Sequence, residues 1–209
     1  MNKIQRSATI ICLFLALVAC QQTPQSKSPP AKTDETPPSV EKVLWQLDTT
    51  KSQISYISTK NGDIREHNTL RFLTGSINAD KEVQLIIDVN SIDTHIDIRD
   101  QRMRELFFET DQYPTARIET SIADNLPLMT AYPIEYRLTL KDQQHRFQSP
   151  VMIHSGGGEM MVTSAEPVTV NAATFGLEGA LEKLREIAGL NSISPEIQVE
   201  YKLHFKQIK

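Results

Sequence analysis

The 209-residue chain carries 22 basic and 26 acidic side chains and is 39% apolar and 23% charged, the make-up of one ordinary folded domain. Five basic and three acidic residues fall in the first 42, so residues 43–209 hold 17 basic against 23 acidic groups. Nucleic-acid binding needs clustered Lys and Arg to displace condensed counterions, so an acidic body excludes a nucleic-acid partner from the leading readings.

Lys3 and Arg6 precede an apolar run, Ala8 to Ala19, broken only by Thr9. It falls short of the roughly 20 residues a bilayer-spanning helix requires and matches an export signal. The run ends Leu17-Val18-Ala19-Cys20, the pattern of a bacterial lipobox. Residues 1–19 are therefore predicted to be a lipoprotein signal peptide, and Cys20 the lipidated first residue of the mature chain. The only other cysteine, Cys12, lies in the segment to be removed, which leaves the body without a disulfide or a cysteine-based metal or redox site. A single acyl chain anchors marginally and two or three stably, so a triacylated Cys20 is expected to hold the protein on a membrane. Gln21 follows where an aspartate would suggest inner-membrane retention, and in this the chain resembles lipoproteins sorted to the periplasmic side of the outer membrane.

Beyond Cys20, residues 21–42 include five prolines (Pro24, Pro29, Pro30, Pro37, Pro38), with Ala31 and Val40 as the apolar members. Such a segment buries too little apolar surface to offset its ordering entropy. Residues 20–42 are predicted to be the lipidated cysteine and a disordered tether, reaching at most about 70 Å at roughly 3.1 Å per residue.

From Val43 onward the dominant signal is period-two alternation. Val83, Leu85, Ile87 and Val89 alternate with Gln84, Ile86, Asp88 and Asn90; Ala116, Ile118 and Ile122 with Arg117, Glu119 and Ser121. Tyr136, Leu138 and Leu140 oppose Arg137, Thr139 and Lys141, and Ile197, Val199, Tyr201, Leu203 and Phe205 oppose Glu196, Gln198, Glu200, Lys202 and His204. This is the mark of antiparallel strands with one buried face. Turn signals at Asn61-Gly62, Asn78 to Lys81, Asp142-Gln143 and Ser155 to Gly158 divide the body into about eight strands, a barrel or sandwich. Two stretches switch to helical period. Asp97 to Phe108 begins with a residue suited to cap a helix and sets Met103, Leu106 and Phe107 on one stripe. Leu177 to Leu190 sets Leu177, Leu181, Leu184 and Ala188 on another, with Glu182 and Arg185 spaced to pair and Gly189 as the stop.

Ser91-Ile92-Asp93-Thr94, Ile98-Arg99-Asp100, Arg102-Met103-Arg104, Phe107-Phe108 and Tyr113-Pro114-Thr115-Ala116 closely resemble the central signature of the YceI-like lipid-binding proteins. Trp45 to Asp48, Ser52, Ile54, Tyr56 and Gly75 upstream, and Leu138-Thr139-Leu140 and Phe175-Gly176-Leu177 downstream, extend the resemblance over nearly all of residues 43–209. The chain departs from the family pattern at Tyr136, Asp142, Ala172 and Thr174. The resemblance implies a mainly β fold, a lipocalin-like eight-stranded antiparallel barrel with two short helices, whose interior holds an isoprenoid or other long-chain amphiphile. Eight strands enclose a tube that is either filled by side chains or open to one slender ligand. The residues expected to line it are Tyr56, Leu85, Ile87, Val89, Leu138, Leu140, Val199, Tyr201 and Leu203, each of which ordinary core packing explains equally well.

Other chemistries find weaker support. Asp93, His95 and Asp97 alternate and could hold a divalent ion, but a strand end, an exposed imidazole and a helix cap account for the same three, and no metal or cofactor is expected. The other histidines are scattered singly, and no HExxH, GxSxG or GxxxxGK[ST] string occurs. Gly156 to Gly158 reads as a hairpin tip. Arg99, Arg102 and Arg104 are expected on a helix face, pairing with Asp97, Asp100, Glu105 or Asp111; a polar mouth for a headgroup is the competing reading. No covalent chemistry is expected, since Asp88, Glu119, Glu200 and His204 take outward parity. The reading is a carrier or scavenger of an apolar ligand, the alternative a ligand-free tethered adaptor whose barrel is filled by its own side chains. The sequence leaves a homo-oligomer open.

Overall fold

A computed structural model describes residues 42–208; the predicted signal peptide, Cys20 and almost all of the tether lie outside the described residues. In chain order the strands are β1 (Val43–Leu47), β2 (Gln53–Lys60), β3 (Ile64–Asn78), β4 (Glu82–Asp93), β5 (Thr115–Ser121), β6 (Tyr132–Leu140), β7 (Gln143–Gly156), β8 (Glu159–Ser164), β9 (Val168–Asn171) and β10 (Glu196–Gln207). The helices are α1 (Asp97–Arg102), continued by a wide π-helical segment, Met103–Phe108, and α2 (Glu178–Ile187), preceded by a 3-10 turn, Ala172–Phe175.

The eight expected strands become ten because two positions of the wall are each filled by two short strands. β10 closes the barrel by pairing with β2 through Gln198↔Ile57 to Lys202↔Gln53 and with β8 through Lys202↔Thr163 to Lys206↔Glu159. Past the end of β2, β1 takes over between β10 and β3, with Leu47↔Phe205 and Gln46↔Ser76. Past the end of β8, β9 continues along β10, from Val199↔Val168 to Glu196↔Asn171. The perimeter is thus a closed eight-stranded antiparallel barrel, in which β9 pairs with β10 alone.

The bend joining β1 to β2 is pinned to β10. His204 O accepts from Asp48 N (2.7 Å), His204 N donates to Ser52 Oγ (3.0 Å), and Lys206 Nζ pairs with Asp48 Oδ2 at 2.7 Å. The bonds from Lys206 and Thr50 hold the Asp48 carboxyl well below the usual carboxylate range.

All four turns read from sequence join consecutive strands. Asn61 and Gly62, Lys81, Lys141, and Gly157 and Gly158 adopt positive φ, as tight hairpins on right-twisted strands demand. Asp142, one of the departures from the family pattern, accepts from the Tyr113 hydroxyl at 2.7 Å, and its neighbour Lys141 pairs with Glu109 at 2.7 Å. This hairpin tip thereby fastens the chain that follows the π-helical segment.

Gly75 is constrained by space. A Cβ there would lie 2.6 Å from Leu85 Cδ2 and 3.1 Å from Leu47 Cβ; the leucine tip could swing aside, but the β1 side chain root could not. Gly75→Ala is expected to cost about 1–3 kcal/mol by overpacking, seen as a melting temperature several degrees lower. Unchanged melting would show that β1 is free to move off β3.

Two helical expectations are revised. Asp97 does not cap α1: Ile96 occupies the cap position and no side chain caps it. The local hydrogen bonds go elsewhere, for Asp93 Oδ1 accepts from His95 N (2.8 Å) and Asp100 Oδ1 from Thr94 N (2.8 Å). The second half of the predicted helix widens into π geometry, which turns both Phe107 and Phe108 toward the barrel, 4.9 Å apart and edge to face. α2 is shorter than predicted, with Leu177 at its cap. It ends as expected at Gly189 (φ 63), where Leu190 N donates to Arg185 O and Gly189 N to Glu186 O, a Schellman close. Glu182 and Arg185 do pair, at 2.6 Å.

Candidate functional site: a hollow barrel with a polar end

The barrel interior holds a cavity of about 670 Å³, within the range of small-molecule sites. All nine residues expected to line it do so: Tyr56 from β2, Leu85, Ile87 and Val89 from β4, Leu138 and Leu140 from β6, and Val199, Tyr201 and Leu203 from β10. Asp88, Glu119, Glu200 and His204 are absent from its wall. Tyr136, another departure from the family pattern, also faces the cavity and stacks on Phe147 at 5.9 Å.

The lining is graded along the barrel. One end is built by Ile77, Val83, Ile122, Leu203 and Phe205, with Thr120, opposite Val83, as a polar member whose hydroxyl donates to the Glu135 carbonyl; the other lies by the β2–β3 hairpin, α1 and the segment following α2. Toward that second end the inward face of β3 runs Phe72, Leu70, Asn68, Glu66, and that of β2 runs Ile54, Tyr56, Ser58, Lys60. Polar side chains thus replace apolar ones over two turns of the pleat. Ile96, Ile98 and Ile187 line the cavity yet are 46%, 52% and 43% exposed. These three isoleucines give the wall apolar side chains that also reach solvent, Ile96 and Ile98 beside the polar Thr94, Arg99 and Arg102.

The polar end is a connected network. Lys60 Nζ meets Glu66 Oε1 at 2.8 Å, and Glu66 Oε2 also takes Arg99 Nη1. Arg99 further donates to Thr94 Oγ1 (2.8 Å) and Thr94 O (2.6 Å), while the Thr94 hydroxyl donates to the buried Asp100 carboxylate. Burial works to raise the Glu66 pKa, but the bonds and charges of Lys60 and Arg99 outweigh it and hold the carboxyl below its ordinary value. This overturns the expected pairing of Arg99 with acids on its own helix: the partners are Glu66 on β3 and Thr94, and the arginine ties α1 to the wall. Arg102 also lines the cavity.

Asn68 stands apart from that network. It is 1% exposed, and its Nδ2 donates to Ser58 Oγ (3.0 Å) and Glu66 O (3.2 Å). A carbonyl oxygen can only accept, so the amide orientation is fixed. The other atom, Oδ1, is buried without a hydrogen-bond partner among the described residues. An acceptor left so costs about 1–3 kcal/mol. Directly opposite, Tyr56↔Asn68 in register, burial pushes the Tyr56 phenol up, partly offset by the Arg99 charge. Tyr201 is raised for the same reason, although its hydroxyl is satisfied by Ser149 Oγ at 2.9 Å.

Asp93 and His95 form an exposed turn and Asp97 opens α1. Among the described residues no group of three or more His, Cys, Asp or Glu is placed to hold a metal ion.

A closed antiparallel barrel with an apolar hollow and a polar end is a lipocalin-like architecture. Residues 45–205 match the YceI-like domain, and the chain belongs to that family. A polyisoprenoid binding domain from Saccharophagus degradans, described as implicated in plant cell wall breakdown, is 29% identical over 80% of this chain and all of its own, with a TM-score of 0.74. BcnA of Burkholderia cenocepacia has the same fold at 18% identity, a TM-score of 0.60, and coverage of 76% of this chain and 98% of its own. No curated protein matches the sequence at a significant level.

Proposed function

We propose that this protein is a lipoprotein anchored through Cys20 to the periplasmic side of the outer membrane, where its barrel sequesters or carries an isoprenoid or other long-chain amphiphile. The mechanism is partition without covalent chemistry. The observation that carries the reading is the hollow, apolar barrel interior, because each buried methylene of a ligand gains about 0.8 kcal/mol and a long chain needs few polar contacts. The likeness to a polyisoprenoid binding domain over nearly the whole body supports the same ligand class. An adaptor reading needs a barrel filled by its own side chains, and the cavity removes that premise.

Native mass spectrometry of the chain from Lys42 onward, which holds every strand of the barrel, tests the proposal. Expressed in a bacterial periplasm and purified without detergent, it is expected to retain an extractable apolar molecule. A uniformly empty protein that also fails to take up added long-chain lipid would refute the carrier reading. Acylation at Cys20 is checked separately by mass analysis of the full-length protein.

A further inference from the structure

We propose that Asn68, with Tyr56 opposite it, is the recognition point for the ligand's polar end, and that this end is a neutral group bearing a hydrogen-bond donor, above all a hydroxyl. The inference deepens the carrier reading and rests on it.

Three observations converge on it. First, Asn68 lines the cavity and its Oδ1 is a buried acceptor with no partner among the described residues, and a buried acceptor is satisfied only by a donor. The amide cannot flip to relieve it, since Nδ2 is held by the Glu66 carbonyl. Second, the Tyr56 phenol lies across the strand pair on the same inward face, where cross-strand Cβ atoms stand about 5 Å apart. Burial keeps that phenol protonated, so it offers a donor beside the amide's acceptor. A hydroxyl both donates and accepts, and it satisfies the two together. A primary amide meets the same pattern, whereas an ether oxygen can only accept. Third, the charges around the pair balance. Lys60 and Arg99 converge on Glu66, and Asp100 closes the Thr94 side of Arg99, two cations against two carboxylates. Arg102 is the remaining cation on the cavity wall; it belongs to α1 and is part-exposed, so solvent screens it.

The position suits the chemistry. From Asn68 the inward faces of β3 and β4 continue through Leu70, Phe72, Ile87 and Leu85 to the apolar end at Ile77 and Val83. A hydroxyl seated at Asn68 therefore points its own hydrocarbon down the barrel.

The test compares cetyl alcohol, cetyl methyl ether and cetyl phosphate as competitors of a fluorescent apolar probe, using delipidated protein from Lys42 onward. The alcohol is expected to bind about tenfold tighter than the ether, the worth of one well-placed hydrogen bond with its desolvation relieved. Asn68→Leu is expected to bring the two within about twofold, chiefly by weakening the alcohol. Tyr56→Phe weakens alcohol and ether alike, because it removes a donor that both can use. Equal affinity for alcohol and ether in the unaltered protein overturns the proposal even if the Asn68 variant does not fold. So does phosphate binding that exceeds alcohol binding and is indifferent to Asn68, which would place recognition at Arg102. Failure of all three compounds to displace the probe would instead count against the carrier reading itself.

Discussion

Ala116→Trp is expected to weaken binding of long-chain ligands by roughly two-hundredfold while leaving the barrel folded. Ala116 is the smallest side chain in a level that runs around the wall as Phe72↔Ile87, Ile87↔Ala116 and Ala116↔Leu140. It is 5% exposed and faces the cavity. An indole at this level projects into open space, so the usual overpacking penalty of about 1–3 kcal/mol is an upper bound. What it removes is the far half of the hollow, below the level of Leu85↔Ile118 and Ile118↔Leu138. Denying a ligand four methylenes of burial costs about 3 kcal/mol, or roughly two-hundredfold in affinity. The loss should depend on length: an octyl compound seated at the polar end loses little, a cetyl compound loses most. Competition binding across a chain-length series reads this directly. Unchanged affinity for the longest chains would place the ligand outside the barrel, whatever its headgroup.

Ile87 and Leu140 of that level are legible in the sequence because β4 and β6 alternate cleanly, and parity alone assigns a face to each residue; Phe72 and Ala116 are not among the expected lining residues. The polar end was not legible for the same physical reason. Along β3, Glu66 and Asn68 stand at inward positions, so the strand shows no apolar alternation where it forms the site. The signal that could have found them is the parity of Leu70 and Phe72 carried backward, since both share the inward face. Arg99 was misread because helical spacing offers nearby acids, while its actual partner, Glu66, is 33 residues away in sequence. The count of ten strands rather than eight escapes the pattern because β1 and β9 contribute only five and four residues, too few for a period to register. The cap of α1 falls at Ile96, whose carbonyl accepts from Arg99 N and Asp100 N, so Asp97 stands one position inside the helix, where its side chain does not cap.

Phe205→Ala tests the other end of the barrel and is expected to produce the largest loss of stability. Phe205 is 2% exposed and lies between Leu47 of β1 and Met160 of β8 in register. It packs in the main core cluster that also holds Ile77, Val83 and Leu85. Removing a buried phenyl costs about 3–5 kcal/mol, transfer energy plus the void left behind. At roughly 2–4 °C per kcal/mol for a domain of this size, the melting temperature should fall by about 6–20 °C. Truncating the exposed Leu73 (58%) to Ala should leave it nearly unchanged, which controls for handling. Because Phe205 also forms part of the cavity wall, the same substitution lengthens the hollow. A saturating long-chain alcohol, at a hundred times its dissociation constant, returns about 2.7 kcal/mol to whichever protein binds it. The melting temperature gained on adding cetyl alcohol should therefore be at least as large for the variant as for the unaltered protein. A variant that is destabilised yet gains nothing from ligand would mean that the apolar end serves only to pack the fold, and that bound chains stop short of Phe205.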